Sequence, residues 1–357
     1  MIKYLGSKRR LVPVLGAISR SVGARTALDL FTGTTRVAQE FKRNGAEVTA
    51  VDTARYAEVF AQCYVALDAG AVERAELDAA LADLSARPGY DGYVTETFCV
   101  RSRFFQRHNG RRIDAIRDAI ECDYAGTWLY PVLLTSLIEA ADRVDSTTGV
   151  QMAYVKSWAP RSYQSLALRV PELLPGPGRA LRADAAEVVG RLGGFDVAYL
   201  DPPYNQHRYF TNYHIWETLV AWDAPDHYGV ACKRVDARDG ATKSVFNERR
   251  RMPAALEQVI RDVDAELVVV SYNDESWVTI EQLEAMAAAR GGTVRTLAFD
   301  SKRYVGAQIG IHNPRGERVG TVTRLRNVEY VVVAGDADVV ERATGGQPWR
   351  STALSHW

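Results

Sequence analysis

Two periods of apolar residues alternate along this chain. The run Thr26-Ala27-Leu28-Asp29-Leu30-Phe31 is short and mostly apolar, which predicts a buried strand. Residues 35–44 then follow helical spacing, and Gly45 stands where a glycine closes a helix. Residues 47–51 predict a second strand that ends at Asp52. Strand, helix and strand together form a unit of the parallel α/β kind. Further strand runs fall at 195–200, 266–272, 294–299 and 328–333, several of them separated by helical segments.

Between residues 52 and 195 the pattern changes. Residues 54–84, rich in Ala, Leu and acids, read as one long helical stretch that Pro88-Gly89 breaks. Residues 89–110 are aromatic and basic and end in Asn109-Gly110, a turn signal. Helical spacing returns at 113–120 and 128–141, and the prolines and glycines of 171–178 predict a loop. The expectation is an α/β domain with a mostly parallel twisted sheet, discontinuous over 1–70 and 179–340. A mainly helical insertion at 71–178 interrupts it, and a tail follows at 341–357. The chain carries neither an internal repeat nor a low-complexity tract.

At 357 residues, with 47% hydrophobic and 25% charged content, the composition is that of a globular protein with a substantial core. No apolar run approaches the ~18 residues that would span a bilayer, so a cytoplasmic protein without membrane partners is expected. Cys63, Cys99, Cys122 and Cys232 form no Cys-x-x-Cys pair, and no His stands at ligand spacing from them. Free thiols and no bound metal are therefore expected. Net charge is zero, but it is unevenly spread. Residues 1–25 carry six Lys or Arg and no acid, and 101–117 carry six Arg against Asp114 alone. Lys302 to Arg326 is also basic, opposed only by Glu317. Such segregation can give a neutral protein a cationic face for phosphates, although solvated faces account equally well for any single run.

The chemistry concentrates at Asp201-Pro202-Pro203-Tyr204, directly after a predicted buried strand. Open α/β sheets bind ligands at the carboxyl ends of their strands. An exocyclic amine on a base is a poor nucleophile, because its lone pair is delocalised into the ring. A carboxylate at Asp201 that accepts one N–H would favour the tetrahedral nitrogen. The Pro202 carbonyl could take the second N–H, Pro203 would stiffen the loop, and Tyr204 would offer a face for base stacking. The run Asp29-Leu30-Phe31-Thr32-Gly33-Thr34-Thr35 ends one strand and opens a helix, where Gly33 would let the backbone approach a ligand. Asp52, about 20 residues on, has the placement of an acid that binds ribose hydroxyls. A nucleoside cofactor follows; without Gly-x-Gly-x-x-Gly or a Gly-Lys-Ser/Thr end, pyrophosphate-bearing cofactors fit poorly.

These residues, in this order, resemble the alpha-group DNA adenine N6-methyltransferases, the DNA adenine methylase family. The resemblance is carried by Lys3-Tyr4-Leu5-Gly6-Ser7-Lys8, the stretch from Asp29 to Thr35, Asp52 and Asp201 to Tyr204. Similar stretches are Arg103-Phe104-Phe105-Gln106, residues 109–117, Asn212-Tyr213-His214 and Ser271-Tyr272-Asn273-Asp274-Glu275. The resemblance runs from Lys3 to about Val333. It implies a Rossmann-like fold that uses S-adenosyl-L-methionine, and methylation of adenine N6 in double-stranded DNA. It further implies an accompanying, separately encoded restriction endonuclease.

By the same resemblance, Tyr4 and Lys8 would contact the methionine end of the cofactor, with Gly6, Asp29, Phe31 and Gly33 completing the cradle. Asp52 would hold the ribose, Asp184 the adenine, and Asp201 both the cofactor and the target amine. The 71–178 insertion would recognise the target. DNA contacts are expected from Arg101, Arg103, Arg107, Arg111, Arg112, Asn212, Tyr213, Lys302 and Arg303. Phe104 and Phe105 are read equally well as core, and Asp184 equally well as the start of a helix. One departure stands out: Thr35 occupies the place of a frequent second glycine. A β-branched residue disfavours positive φ, so a different loop geometry is expected there. The rival readings are a cytosine N4 or RNA adenine methyltransferase, or a DNA-binding subunit of the same fold without activity.

Overall fold

The structure, a computed structural model, describes residues 2–6, 8–204, 208–302, 311–312, 318–320 and 326–345. Its centre is a seven-stranded sheet made of β1 (Thr26–Asp29), β2 (Glu47–Asp52), β3 (Gly178–Arg182), β4 (Phe195–Leu200), β5 (Ala265–Asn273), β6 (Thr293–Lys302) and β7 (Arg326–Gly335), in the order β3-β2-β1-β4-β5-β7-β6. Neighbours from β3 to β5 pair in parallel, and β7 runs antiparallel to both β5 and β6. This is the Rossmann-like α/β architecture.

The central strands read as continuous apolar runs because helices cover both faces. In β4, Val197 and Tyr199 enter one core layer, and Ala198 and Leu200 the other. The first layer is closed by α1 (Val12–Ser21), α2 (Arg36–Arg43), α3 (Arg55–Ala61) and α12 (Ala337–Gly345), which contribute Leu15, Phe41, Tyr56 and Val340. The second is closed by the single turn α7 (Ala185–Val188), α10 (Met252–Asp262) and α11 (Ile280–Ala288), through Ala185, Leu256 and Leu283. Strand β3, by contrast, is an edge strand with exposed positions, which explains its weak apolar signal.

The long β2–β3 connection holds α3, α4 (Arg74–Ala86), α5 (Arg107–Tyr124) and α6 (Leu129–Val144). After β4 come the single turn α8 (Tyr209–Asn212) and then α9 (His214–Ala221); α6 packs against α3, α5 and α9. Two local expectations are corrected here. The helical stretch of 54–84 is interrupted at 67–73, where Asp68 Oδ1 accepts the Gly70 and Gly176 N–H groups and Lys42 Nζ donates to the Val65 and Leu67 carbonyls. Asp68 thus caps a short turn from within the stretch, and Lys42, on α2, binds carbonyls that a continuous helix would have used.

Asn109-Gly110 is not a turn; it lies inside α5. Asn109 Nδ2 donates to the Ser162 and Gln164 carbonyls, and its Oδ1 accepts from Leu166 N, so the buried amide ties down a distant loop. Gly110 is required by proximity. A Cβ there would stand 2.3 Å from Cys99 Sγ and 3.2 Å from Thr95 Cα. Gly110→Ala is expected to destabilise the fold by about 1–3 kcal/mol through overpacking. Cys99→Ala in the same chain should recover part of that loss, as measured by urea denaturation midpoints.

Candidate active site

The amino-terminal segment is drawn over the carboxyl ends of the strands by aromatic packing. Tyr4 stacks on Tyr213 at 4.7 Å between ring centroids and on Tyr209 at 5.3 Å, and Tyr213 stacks on Trp216 at 4.5 Å. Leu5 N donates to the Tyr213 hydroxyl at 2.6 Å, and Lys3 pairs with Asp142 and Asp145 at 3.2 and 3.3 Å. Gly6, at φ 73°, turns the chain toward the sheet, where a Cβ would meet the Tyr209 hydroxyl at 3.1 Å. Lys8 then reaches in, and its side chain is only 6% exposed.

At the end of β4, Lys8 Nζ lies 3.1 Å from Asp201 Oδ1. The same oxygen accepts from Ser271 Oγ at 3.0 Å, and Ser271 in turn shares a 2.7 Å hydrogen bond with the Tyr199 hydroxyl. Burial pushes the Asp201 carboxyl up, opposed by Lys8 and Ser271. Burial alone would lower Lys8; Asp201, together with Tyr204, Tyr199 and Glu329, outweighs it and holds the ammonium well above its ordinary value.

The β1–α2 loop faces this pair. Asp29 Oδ2 accepts from Thr32 Oγ1 and from Ala38 N, while its buried Oδ1 has no hydrogen-bond partner among the described residues. Burial raises the Asp29 carboxyl to about 7. Asp52 Oδ2 accepts from Gly33 N at 2.9 Å, which ties the loop to the end of β2. Gly33 has φ 50°, and a Cβ there would press on the Tyr4 ring at 3.1–3.3 Å. Thr35 does not change the loop as expected. It takes φ 61° itself, a left-handed conformation that costs a non-glycine residue roughly 1–2 kcal/mol. Burial and two hydrogen bonds hold it there, from Thr35 Oγ1 to the Thr34 carbonyl and from Gln39 Nε2 to Oγ1.

One cavity of about 740 Å³ joins these parts. Tyr4, Gly6, Lys8, Asp29, Phe31, Gly33, Asp52, Asp184 and Asp201 all line it. Phe31 meets Phe246 edge-on at 5.0 Å on its wall. Asp184 both lines the cavity and caps α7, accepting from Ala186 N at 2.9 Å. Pro203 is on the wall, whereas Pro202 is buried and Tyr204 stands off the lining. The Tyr204 ring packs edge-on against Tyr272 at 5.7 Å, with Lys8 Nζ 5.7 Å from its centroid.

The motifs gave no sign of Glu217. It lines the cavity at 1% side-chain exposure, 3.8 Å from Arg55, with Oε1 unpartnered. Burial raises its carboxyl to about 7. Ser271 and the wall segment around Phe246 were likewise unassigned, because their role arises only where β5 and a distant loop meet β4. Among the described residues no cluster of His, Cys, Asp or Glu could hold a metal ion.

A family model for D12 class N6 adenine-specific DNA methyltransferases matches residues 4–286. The chain belongs to that family. It is 29% identical over 297 residues to the type II methyltransferase M.NlaIII of Neisseria lactamica, covering 79% of this chain and 86% of that protein. It is 27% identical to the modification methylase StsI of Streptococcus sanguinis, over 79% of this chain and 45% of the relative. With M.FokI of Planomicrobium okeanokoites the identity is 25%, over 85% of this chain and 50% of the relative. Among solved structures, the methyltransferase domain of bacterial CtHen1-C aligns over 92% of this chain and 99% of its own at 11% identity, with a TM-score of 0.32, a likeness too slight to carry weight.

For this adenine-specific methyltransferase, the residues expected to meet DNA are largely engaged within the protein. Arg101 pairs with Glu96 at 2.9 Å, Arg107 with Asp91 at 2.6 Å, and Arg111 with Asp91 at 3.5 Å. Arg103 donates to the Lys156 carbonyl and lies over the Trp158 ring. The Arg112 guanidinium binds the Leu84, Ser85 and Arg87 carbonyls, satisfying the end of α4. Tyr213, 0% exposed, is the middle of the aromatic stack, and Asn212, 4% exposed, lines a second cleft beside the cavity. Phe104 and Phe105 are core. Arg303 lies outside the described residues, as does the Lys302 side chain.

The two raised carboxyls set a pH dependence. Each is raised above its ordinary value near 4, so the folded state binds more protons between about pH 4 and about 7. Their contribution to stability is full below pH 4 and is lost as pH rises through 7. Asp29→Asn and Glu217→Gln should each reduce the fall in urea midpoint between pH 5 and pH 8.

Proposed function

We propose that this protein transfers a methyl group from S-adenosyl-L-methionine to N6 of an adenine in double-stranded DNA at a defined sequence, with Asp201 as the catalytic carboxylate. The observation that carries the reading is the single cavity in which Lys8, Asp29, Asp52 and Asp201 converge at the rim of the sheet. Its wall suits a cationic nucleoside donor. Two buried acid oxygens, Asp29 Oδ1 and Glu217 Oε1, have no partner among the described residues, and such groups are costly unless a ligand satisfies them.

S-adenosyl-L-methionine supplies an electrophilic methyl on a sulfonium. Tyr4, Gly6 and Lys8 would border its methionine end, with Asp29 and Gly33 across from them. Asp52 would take the ribose, and Phe31 with Asp184 the adenine. Asp201 would accept one N–H of the target amine and the Pro202 carbonyl the other, drawing the nitrogen toward a tetrahedral geometry. Pro203 would hold the backbone stiff, and the proton would leave to solvent. Tyr204 would stack on the base after its ring turns from Tyr272, offsetting part of the few kcal/mol needed to flip it.

The helical region at 71–178 would recognise the target sequence, with Arg101, Arg103, Arg107 and Arg111 on its surface. Relatives named as type II and modification methylases support a place beside a separately encoded restriction endonuclease. Cytoplasmic work on DNA is consistent with the described helices, none of which is long and apolar enough to cross a membrane.

Asp201→Ala should lower methyl incorporation into duplex DNA by at least about 10²-fold, the scale for losing one well-placed electrostatic group. Asp201→Asn should do the same while leaving Lys8 a neutral hydrogen-bond acceptor. Labelled-methyl transfer followed by nucleoside analysis should give N6-methyladenine with the wild type; N4-methylcytosine, or undiminished activity in both variants, would refute the assignment. Tyr204→Ala should slow methylation by roughly 5- to 150-fold, equivalent to ~1–3 kcal/mol of stacking, and Tyr204→Phe should retain most of the rate.

A further inference from the structure

Beside the cavity lies a second cleft of about 430 Å³, lined in part by Arg208, Thr211, Tyr228, Lys233, Arg238 and Lys243. Arg208 and Lys243 also line the main cavity, so the two are contiguous. We infer that this cleft grips the backbone phosphates of duplex DNA next to the flipped adenine, an inference that rests on the reading of the cavity as the methylation site.

The first ground is charge. The lining holds four cations and no acid. None of the four forms an ion pair among the described residues, whereas Arg101 pairs with Glu96, and Arg107 and Arg111 share Asp91. An unneutralised cation gains most from a phosphate, since it gives up no existing partner, and released counterions then drive the association.

The second ground is rigidity. Two of the cations stand on or beside a short hairpin made by His227–Tyr228 and Lys233–Arg234. Arg234, 2% exposed, locks that hairpin by pairing with Asp223 and Asp236, each at 2.7 Å. Arg238 lies over the Tyr228 ring at 3.7 Å from its centroid, and Lys233 Nζ at 5.4 Å. The ring orders both side chains without cancelling their charge. Of the acids adjacent in sequence, Asp236 pairs with Arg234, and Asp236 and Asp239 line the main cavity, not this cleft.

The third ground is position. A base rotated out of a duplex remains attached to its own backbone, so the flanking phosphates must pass the mouth of the cavity that admits it. The contiguous cleft is where an unpaired positive surface meets that mouth. Base readout by the helical region and phosphate grip by this cleft are then separate tasks carried by separate parts of the chain.

The test is the salt dependence of binding to a fluorescent duplex oligonucleotide, measured by anisotropy. Each lost phosphate contact lowers the slope of log affinity against log salt by about 0.9, so two lost contacts reduce the fall between 50 and 200 mM salt by about tenfold. Lys233→Gln with Arg238→Gln should show that reduction, and Lys233→Arg with Arg238→Lys should restore it, which separates charge from folding. Arg179→Gln with Arg261→Gln, at exposed cations that line neither cavity, should keep the wild-type dependence. An unchanged slope in the Lys233 and Arg238 double variant, or an equal reduction in the Arg179 and Arg261 control, would overturn the inference. A wild type that binds no duplex at any salt would instead overturn the reading of the cavity as well.

Discussion

The ion pair between Lys8 and Asp201 is the contact on which the rest of the site depends. It joins the first residues of the chain to the end of the fourth strand of the sheet, and both partners are mostly removed from water. Removing one partner of such a buried pair typically costs about 3–5 kcal/mol, because the other is left charged and alone. The pair is compensated by geometry that only this fold supplies. Ser271 donates to the same oxygen of Asp201, and the Tyr199 hydroxyl adjoins Ser271. The stack of Tyr209, Tyr4, Tyr213 and Trp216 then clamps the segment that brings Lys8 in.

Around that pair the protein tolerates features that are unfavourable in isolation. Thr35 sits at positive φ, and Asp29 and Glu217 are buried carboxyls with one oxygen each unpartnered. Strain and unsatisfied polar groups concentrate where a ligand is to be held, since a rigid surround can keep them only at some expense of stability. Asp29 and Glu217 line the same cavity, and Thr35 lies in the loop that borders it. A cationic donor would relieve the two acids together, which links its binding to the proton equilibrium of both groups.

The charge pattern carries a second lesson. Zero net charge gives no hint of a polyanionic partner, and the densest arginine run in the sequence is largely spent on internal pairing. Arg112 serves the end of a helix, and Arg117, fully buried, binds Glu121 and the Leu219 carbonyl. Density of like charge along a chain therefore says little about which cations remain available. Availability depends on which acids fold up beside them.

What the sequence by itself determined is local. The strands that end at Asp29, Asp52 and Asp201 follow from short apolar runs, and the loop chemistry at their ends follows from the Pro202-Pro203 pair, Gly33 and the spacing of the acids. Because parallel strands align their carboxyl ends on one edge, those three acids were bound to meet. Tertiary structure alone decided the rest. Asn109-Gly110 became helix interior because a distant loop needed its amide, and 54–84 broke because Asp68 and Lys42 captured backbone groups. Glu217 entered the cavity and Tyr213 left the surface because a side chain's partners can come from any distance along the chain, while sequence spacing reports only its near neighbours.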